Sequence, residues 1–209
     1  MSRFGTLTQM RAFTAVLALV AIGAQLQRTF DAGALNPVNF FSYFTIQSNL
    51  IGVAVLLYLA VRAGAQRSGR VNWWRGAAAV YLTVTFFVVI FLLSHTDVGL
   101  QLPWVDVVLH KVVPVVIVAD YLIDPPRTRL TISDGLLWLV YPLAWLGYTM
   151  IRGPIAGWYP YPFLDPADGG YGPVAVTVVA ILIAGAVLCA LYVWLANWRG
   201  AGRSPMASA

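Results

Sequence analysis

The chain has 209 residues, 60% of them hydrophobic and 10% charged, with a net charge of +5. A soluble domain carries roughly 25% charged residues, so this composition excludes an ordinary soluble globule and predicts an integral membrane protein. The positive charge does not point to nucleic acid, because the basic residues are scattered over short segments between apolar runs and form no single patch.

Six apolar runs are long enough to cross a hydrocarbon core, which takes about 20 helical residues. They cover 10–29, 40–62, 73–94, 104–123, 134–151 and 172–198. Each is continuous and not alternating, which favours helices over barrel strands. The expected fold is an all-α polytopic bundle of six transmembrane helices, one domain over residues 1–198. Gln25, Gln27 and Arg28 stand where a signal peptide would show small cleavage-site residues, so the first run reads as a retained helix. The end of the chain, 199–209, is rich in Gly, Ser and Ala and reads as a disordered cytoplasmic tail. The lone Cys189 lies in an apolar run and has no disulfide partner.

Basic residues set the orientation. With six crossings, Arg3, Arg11, Arg62, Arg67, Arg70, Arg75, Arg127, Arg129, Arg199 and Arg203 share one side. Arg28 and Arg152 face the other, and Lys111 lies inside the fourth run. Both termini are therefore expected in the cytoplasm. On that side Gly64–Arg70 reads as a short flexible linker, and Asp124-Pro125-Pro126-Arg127 as a plain stop to the fourth helix. The opposite side carries a longer connection from Arg152 to Tyr171, with Trp158, Tyr159, Tyr161 and Phe163. Its four prolines, Pro154 to Pro166, argue against regular helix. It reads either as an aromatic anchor at the membrane boundary or as a lid over the bundle mouth.

Two runs carry polar stripes at helical spacing. One holds Ser42, Thr45, Ser48, Asn49 and Gly52, and the other Asp106, His110, Pro114 and Ile117. Ionisable groups inside a membrane segment mark functional sites by default, and such faces turn inward. Both helices enter from the outer side. Thr45 lies about five residues below Phe40 and His110 about six below Trp104, roughly 7–9 Å in each case, so the two share a depth.

A threonine hydroxyl becomes a nucleophile when a base takes its proton, and a neutral imidazole does that near pH 7. Asp106, one turn before His110, can orient the ring. Pro114 has no N–H for the His110 carbonyl four residues back, so a kink is expected there. Asn49, Gln47 and Ser48 are candidate oxyanion donors. Lys111, Arg28 and Arg152 could hold a lipid carboxylate, and Trp158, Tyr159 and Tyr161 could contact substrate. The bland alternative is that Thr, Ser, Asn and His merely join helices. Tyr141, Trp145, Tyr148 and Arg152 form a face of the fifth helix that reads as core packing with one interfacial arginine. His95, Asp97, Asp106 and His110 show no ligand spacing, so no metal is expected. There is no internal repeat, P-loop, Rossmann fingerprint or Gly-x-Ser-x-Gly elbow, and no cofactor is expected.

The segment Ser42-Tyr43-Phe44-Thr45-Ile46 resembles the threonine motif of the androgen-induced family of multipass threonine hydrolases. Leu109-His110-Lys111-Val112-Val113-Pro114 resembles that family's histidine motif, and the layout of six crossings is similar. Within the broader superfamily the chain more closely resembles bacterial six-helix membrane proteins of unassigned function, through Phe44-Thr45-Ile46-Gln47-Ser48-Asn49, the His110-to-Pro114 segment and Trp158-Tyr159-Pro160-Tyr161-Pro162-Phe163. The resemblance implies a Thr45 nucleophile, a His110 base, a fatty acid ester of a hydroxy fatty acid or a similar lipid as substrate, and a bacterial plasma membrane. Gln47-Ser48-Asn49, Asp106 and the long aromatic loop depart from the family pattern. The expected function is hydrolysis of a lipid ester, with membrane lipids as surroundings. The alternatives are a non-enzymatic lipid or small-molecule transporter or binding protein using the same cavity, or an assembly subunit. Oligomeric state stays open.

Overall fold

Four helices are long and apolar enough to cross a membrane: Gly5–Asp31, Phe44–Val61, Gly69–Leu93 and Tyr171–Trp198. They belong to an all-helical membrane protein, seen in a computed structural model that describes residues 3–94, 101–167 and 169–200, with no strand among them. In chain order the helices are α1 (Arg3–Asp31), α2 (Pro37–Ser42), α3 (Phe44–Val61) and α4 (Gly69–Val88), the last continued by a π-helical turn over Val89–Leu93. Next come α5 (Pro103–Val107), a π-helical turn over Val108–Val112, and α6 (Val113–Ile123). The rest is α7 (Ile132–Leu137), α8 (Val140–Ala156), a 3₁₀ turn over Pro162–Leu164, and α9 (Tyr171–Gly200).

Four of the expected runs are not simple helices, counting run 73–94, which ends in the π turn over Val89–Leu93. Run 40–62 is broken at Tyr43, whose ψ of 127° is extended. Run 104–123 is helical throughout but passes through a π turn at His110. Run 134–151 is split by a turn at Trp138–Leu139. Its short first half starts at a capping box, in which Thr131 and Asp134 satisfy each other's backbone amides. The second half, α8, runs on through Pro154 and stops at Gly157, which takes the left-handed conformation (φ 59°) that favours glycine. The proline-rich connection thus begins five residues later than expected. α9 continues through Arg199 and Gly200, the first two residues of the expected disordered tail, while His95, Asp97 and residues 201–209, with Arg203, lie outside the described residues.

Every residue of α4 from Arg75 to Thr83 is buried. A helix buried all round is central, and α3, α6 and α9 pack about it. Along α1, Ala15, Ala18 and Ala21 are fully buried, and these small side chains let α1 approach α3 closely. Hydroxyls join other helices: Thr83 meets Tyr192 at 2.7 Å, and Tyr81 donates to the Trp138 carbonyl at 2.7 Å. By contrast α9 is mostly lipid-facing, with Val176, Ile183 and Val187 exposed.

At the end of the bundle away from the 157–170 connection, the charges are gathered and not scattered. Arg11 of α1 reaches Asp120 at 2.6 Å and Asp124 at 2.7 Å. Arg75 of α4 reaches Asp120 at 2.9 Å and the Asp124 carbonyl at 2.6 Å. Arg67, in the supposed flexible linker, pairs with Asp124 in the supposed plain stop. The two connections are therefore locked together. Asn197 reinforces this by pairing both backbone groups of Leu130, at 3.0 and 2.8 Å. Arg11, Arg75, Asp120 and Asp124 are all 5% exposed or less.

Removing one partner of a buried ion pair strands the other charge and costs about 3–5 kcal/mol. Asp120→Ala takes the carboxylate from Arg75, which keeps only the Asp124 carbonyl, and one of two carboxylates from Arg11. It is expected to lower the unfolding midpoint in detergent sharply, whereas Arg70→Ala, exposed on the same side, should change stability by no more than about 0.5 kcal/mol. Equal midpoints for the two variants would refute a stabilising role for the cluster.

Candidate active site

The break at Tyr43 shapes the site. It ends α2 and starts α3 one residue before Thr45, leaving carbonyls on one side and amides on the other without helical partners. Side chains meet the carbonyls: Gln47 donates to Phe41 O at 2.7 Å, and the Trp145 indole donates to Ser42 O at 2.8 Å. The face of α8 expected to be core packing is a polar clamp on this break. Tyr141 donates to the Gln47 side chain, and Trp145 to the Ser42 carbonyl. Tyr148 lies 3.1 Å from the Ser42 hydroxyl, and Arg152 reaches Asn39 at 2.5 Å. On the amide side, the Thr45 N–H donates to the Tyr161 hydroxyl at 3.1 Å.

The histidine sits on a second backbone irregularity. In the π turn the Val113 N–H reaches back five residues to Val108, so it does not serve Leu109. The donor five residues on from Leu109 would be Pro114, which has no N–H. The π register thus leaves the Leu109 carbonyl over, one residue before the His110 carbonyl that α-helical counting singled out. Asn49 Nδ2 donates to it at 3.1 Å, and to the Thr45 carbonyl at 2.8 Å. One fully buried amide therefore sets the height of the threonine helix against the histidine helix.

Those constraints produce a connected line of side chains. His110 Nδ1 lies 2.8 Å from Asp106 Oδ1, and His110 Nε2 lies 3.2 Å from Thr45 Oγ1. A carboxylate only accepts, so the neutral ring carries its proton on Nδ1 and Nε2 accepts from the Thr45 hydroxyl. The Tyr161 hydroxyl lies 3.2 Å from Thr45 Oγ1 and, with the threonine proton committed to His110, donates to that oxygen. Thr45 and His110 are 7% and 8% exposed, while the Asp106 side chain is one-third open and also takes a bond from Gln101 at 3.2 Å. Gln25 fixes the entry to α5 by accepting from the Leu102 N–H at 3.0 Å.

The remaining expected site residues divide. Gln47, Ser48 and Asn49 do not point donors at the Thr45 hydroxyl. Gln47 caps α2, Ser48 lies 3.2 Å from both the Thr45 carbonyl and the Thr85 hydroxyl, and Asn49 holds two carbonyls. Arg152 is committed to Asn39 and lies 5.5 Å over the Trp158 ring. Arg28 and Lys111 are exposed. Tyr159 packs onto Gly153, where a Cβ would stand 2.0 Å from its ring, and Trp158 meets Tyr43 edge-on at 5.5 Å. Tyr161 is the loop residue that reaches Thr45.

Beside Thr45 opens a cavity of about 80 Å³, lined by Phe44, Val84, Thr85, Val88, Trp145, Tyr161, Phe163, Leu182 and other mostly apolar side chains. Thr45 lines it and His110 does not, so the threonine stands between the imidazole and an almost wholly apolar space. No protein-family model, curated protein or solved structure matches this chain.

The shared Leu109 carbonyl gives a test. Asn49→Ala leaves this buried acceptor without its donor, at about 1–3 kcal/mol. Pro114→Ala restores a backbone N–H to the same turn. In a double-mutant cycle read by unfolding in detergent, Asn49→Ala should cost less in the Pro114→Ala background, with a coupling of about 1 kcal/mol. Strictly additive losses would refute the assignment.

Proposed function

We propose that the protein is a threonine-type hydrolase of lipid esters. The observation that carries this reading is the line Asp106–His110–Thr45, ending at an apolar cavity. The ester's acyl chain lies in the cavity and presents its carbonyl to Thr45. His110 takes the hydroxyl proton as Thr45 Oγ1 attacks, Asp106 stabilises the imidazolium, and the proton then passes to the leaving alcohol. Water, activated by His110, cleaves the acyl-threonine and releases a carboxylic acid. The apolar lining favours an acyl group over a polar one, and the resemblance noted above suggests a hydroxy fatty acid as the alcohol.

Thr45 and His110 act as one unit in this mechanism, so their losses should be non-additive. Thr45→Ala, His110→Ala and the double variant should be about equally inactive towards fatty acid esters, and Thr45→Ser should retain activity. Intact-mass analysis after an alkyl fluorophosphonate should show one adduct on wild type and none on Thr45→Ala. A wild-type protein that neither labels nor turns over a panel of lipid esters would instead belong to the binding or transport class. Labelling that persists in Thr45→Ala would move the nucleophile elsewhere.

The same reading includes six crossings with both termini in the cytoplasm of a bacterial plasma membrane. Pro103–Ile123, at about 1.5 Å per residue, is roughly 31 Å long, enough for a hydrocarbon core, and the split path through α7 and α8 makes the other added crossing. In a Cys189→Ala background, single cysteines at Ser68 and Ala167 should be labelled by impermeant maleimide from opposite faces. Labelling from the same face would end the six-crossing arrangement.

A further inference from the structure

The three donors expected to stabilise an oxyanion are engaged elsewhere, so the site needs another set. We propose that Tyr161 is a catalytic residue, and that its hydroxyl and the Thr45 backbone N–H together form the oxyanion hole. This rests on the hydrolase reading above.

Thr45 is the second residue of an 18-residue helix, so its N–H has no helical acceptor and points out of the helix start, where partial positive charge accumulates. It is also the nucleophile's own amide, placed as oxyanion amides are in acyl-transfer sites. In the structure its acceptor is the Tyr161 oxygen, at 3.1 Å, and that hydroxyl is 3.2 Å from Thr45 Oγ1. The Tyr161 oxygen therefore occupies the position that a carbonyl oxygen must approach when its carbon comes within reach of Thr45. Its ring is held by the 3₁₀ turn that follows, stacked on Phe163 at 5.3 Å and edge-on to Tyr43 at 5.7 Å, and it lines the apolar cavity.

As Thr45 Oγ1 bonds to the carbonyl carbon, the C=O π pair moves to the oxygen and the threonine proton moves to His110 Nε2. The new oxyanion accepts from the Thr45 N–H in place of the tyrosine oxygen. The Tyr161 O–H, released from Thr45 Oγ1, turns to donate to the same oxyanion and keeps its proton throughout. When the C–O bond to the alcohol breaks, the leaving oxygen takes the proton from His110 and the carbonyl re-forms.

The test uses the full chain in detergent, with p-nitrophenyl esters of fatty acids as substrate. Tyr161→Phe keeps the ring and removes the donor. Loss of one oxyanion donor costs about 10²–10³-fold in kcat, with KM expected within about threefold and the pH at half-maximal rate unchanged, because His110 is untouched. Full activity, increased activity, or a loss confined to KM would overturn the assignment. A second measurement does not depend on that variant folding. With 3-fluorotyrosine at position 161, phosphonylation of Thr45 by the fluorophosphonate places a tetrahedral oxygen at the hole. It should shift the fluorine resonance of residue 161, with no shift in Thr45→Ala. An unshifted resonance on fully labelled protein would reject Tyr161. Wild type without turnover or labelling would sink the hydrolase reading itself. An active wild type with an equally active Tyr161→Phe would sink Tyr161 alone.

Discussion

A single extended residue, Tyr43, sets most of what surrounds it. Inside an apolar bundle a broken helix leaves polar backbone groups that water cannot reach, and each unpaired group costs kilocalories. This chain meets that cost from three places. Gln47 caps the carbonyl side from the next turn of α3, Trp145 does so from α8, and Tyr161 meets the amide side from the distal connection. The polar face of α8 is then explained by position: Tyr141, Trp145, Tyr148 and Arg152 recur at helical spacing because each meets one stretch of chain between Asn39 and Gln47. The reward is a free helix start beside Thr45, deep in a region where regular helix would have consumed the same amide.

The second irregularity answers the first. A π turn is costly in isolation and recurs at functional sites. Here it carries His110 on a turn whose Leu109 carbonyl is left over, and the buried Asn49 accepts the task of pairing it. Asn49 is one turn beyond Thr45 on α3 and also holds the Thr45 carbonyl. The threonine and histidine helices thus meet at their two backbone defects through one side chain, and a 3.2 Å separation of Thr45 Oγ1 and His110 Nε2 follows from that register. Equal depth alone would have allowed the two side chains to pass each other.

Depth was legible in the sequence because rise per residue is fixed. Counting from Phe40 and Trp104 was enough to place Thr45 and His110 level, and Asp106 one turn away needed only the helical repeat. The all-helical membrane class followed from composition. The break at Tyr43 was not legible, since no proline or glycine marks it and apolar periodicity is blind to one extended residue. Pro114 did announce a disturbance, but picking out the Leu109 carbonyl, which Asn49 meets, needed the π register. The arginine–aspartate cluster was hidden for a different reason. Arg11, Arg67 and Arg75 each lie near a helix end, where charge is ordinary, and only the tertiary fold shows that Asp120 and Asp124 draw all three together. Aromatic enrichment flagged the 158–163 segment, yet nothing in its composition separated Tyr161, which reaches Thr45, from Trp158 and Tyr159, which hold the segment in place.

The two ends of the bundle are built to different standards of rigidity. At the basic end, buried charges from α1, α4, α6 and two connections interlock, and local opening there would expose several of them at once. At the other end α8 reaches its neighbours through long aromatic side chains, Phe44 against Trp145 at 5.2 Å and Tyr81 against Tyr141 at 5.4 Å, and the apolar cavity lies beside this looser contact. Elements that move for binding come from the less tightly held part of a structure. A lipid chain entering between helices exchanges one apolar surrounding for another, so the cavity requires no desolvation of the chain. On the hydrolase reading only the ester must leave a polar environment, and polar groups meet it where the chain stops: Thr45, backed by His110, and beyond it Asp106, whose side chain is one-third open. On the hydrolase reading the nucleophile therefore stands at the boundary between a dry side that takes the acyl chain and a wetter side from which the second reactant, water, can arrive.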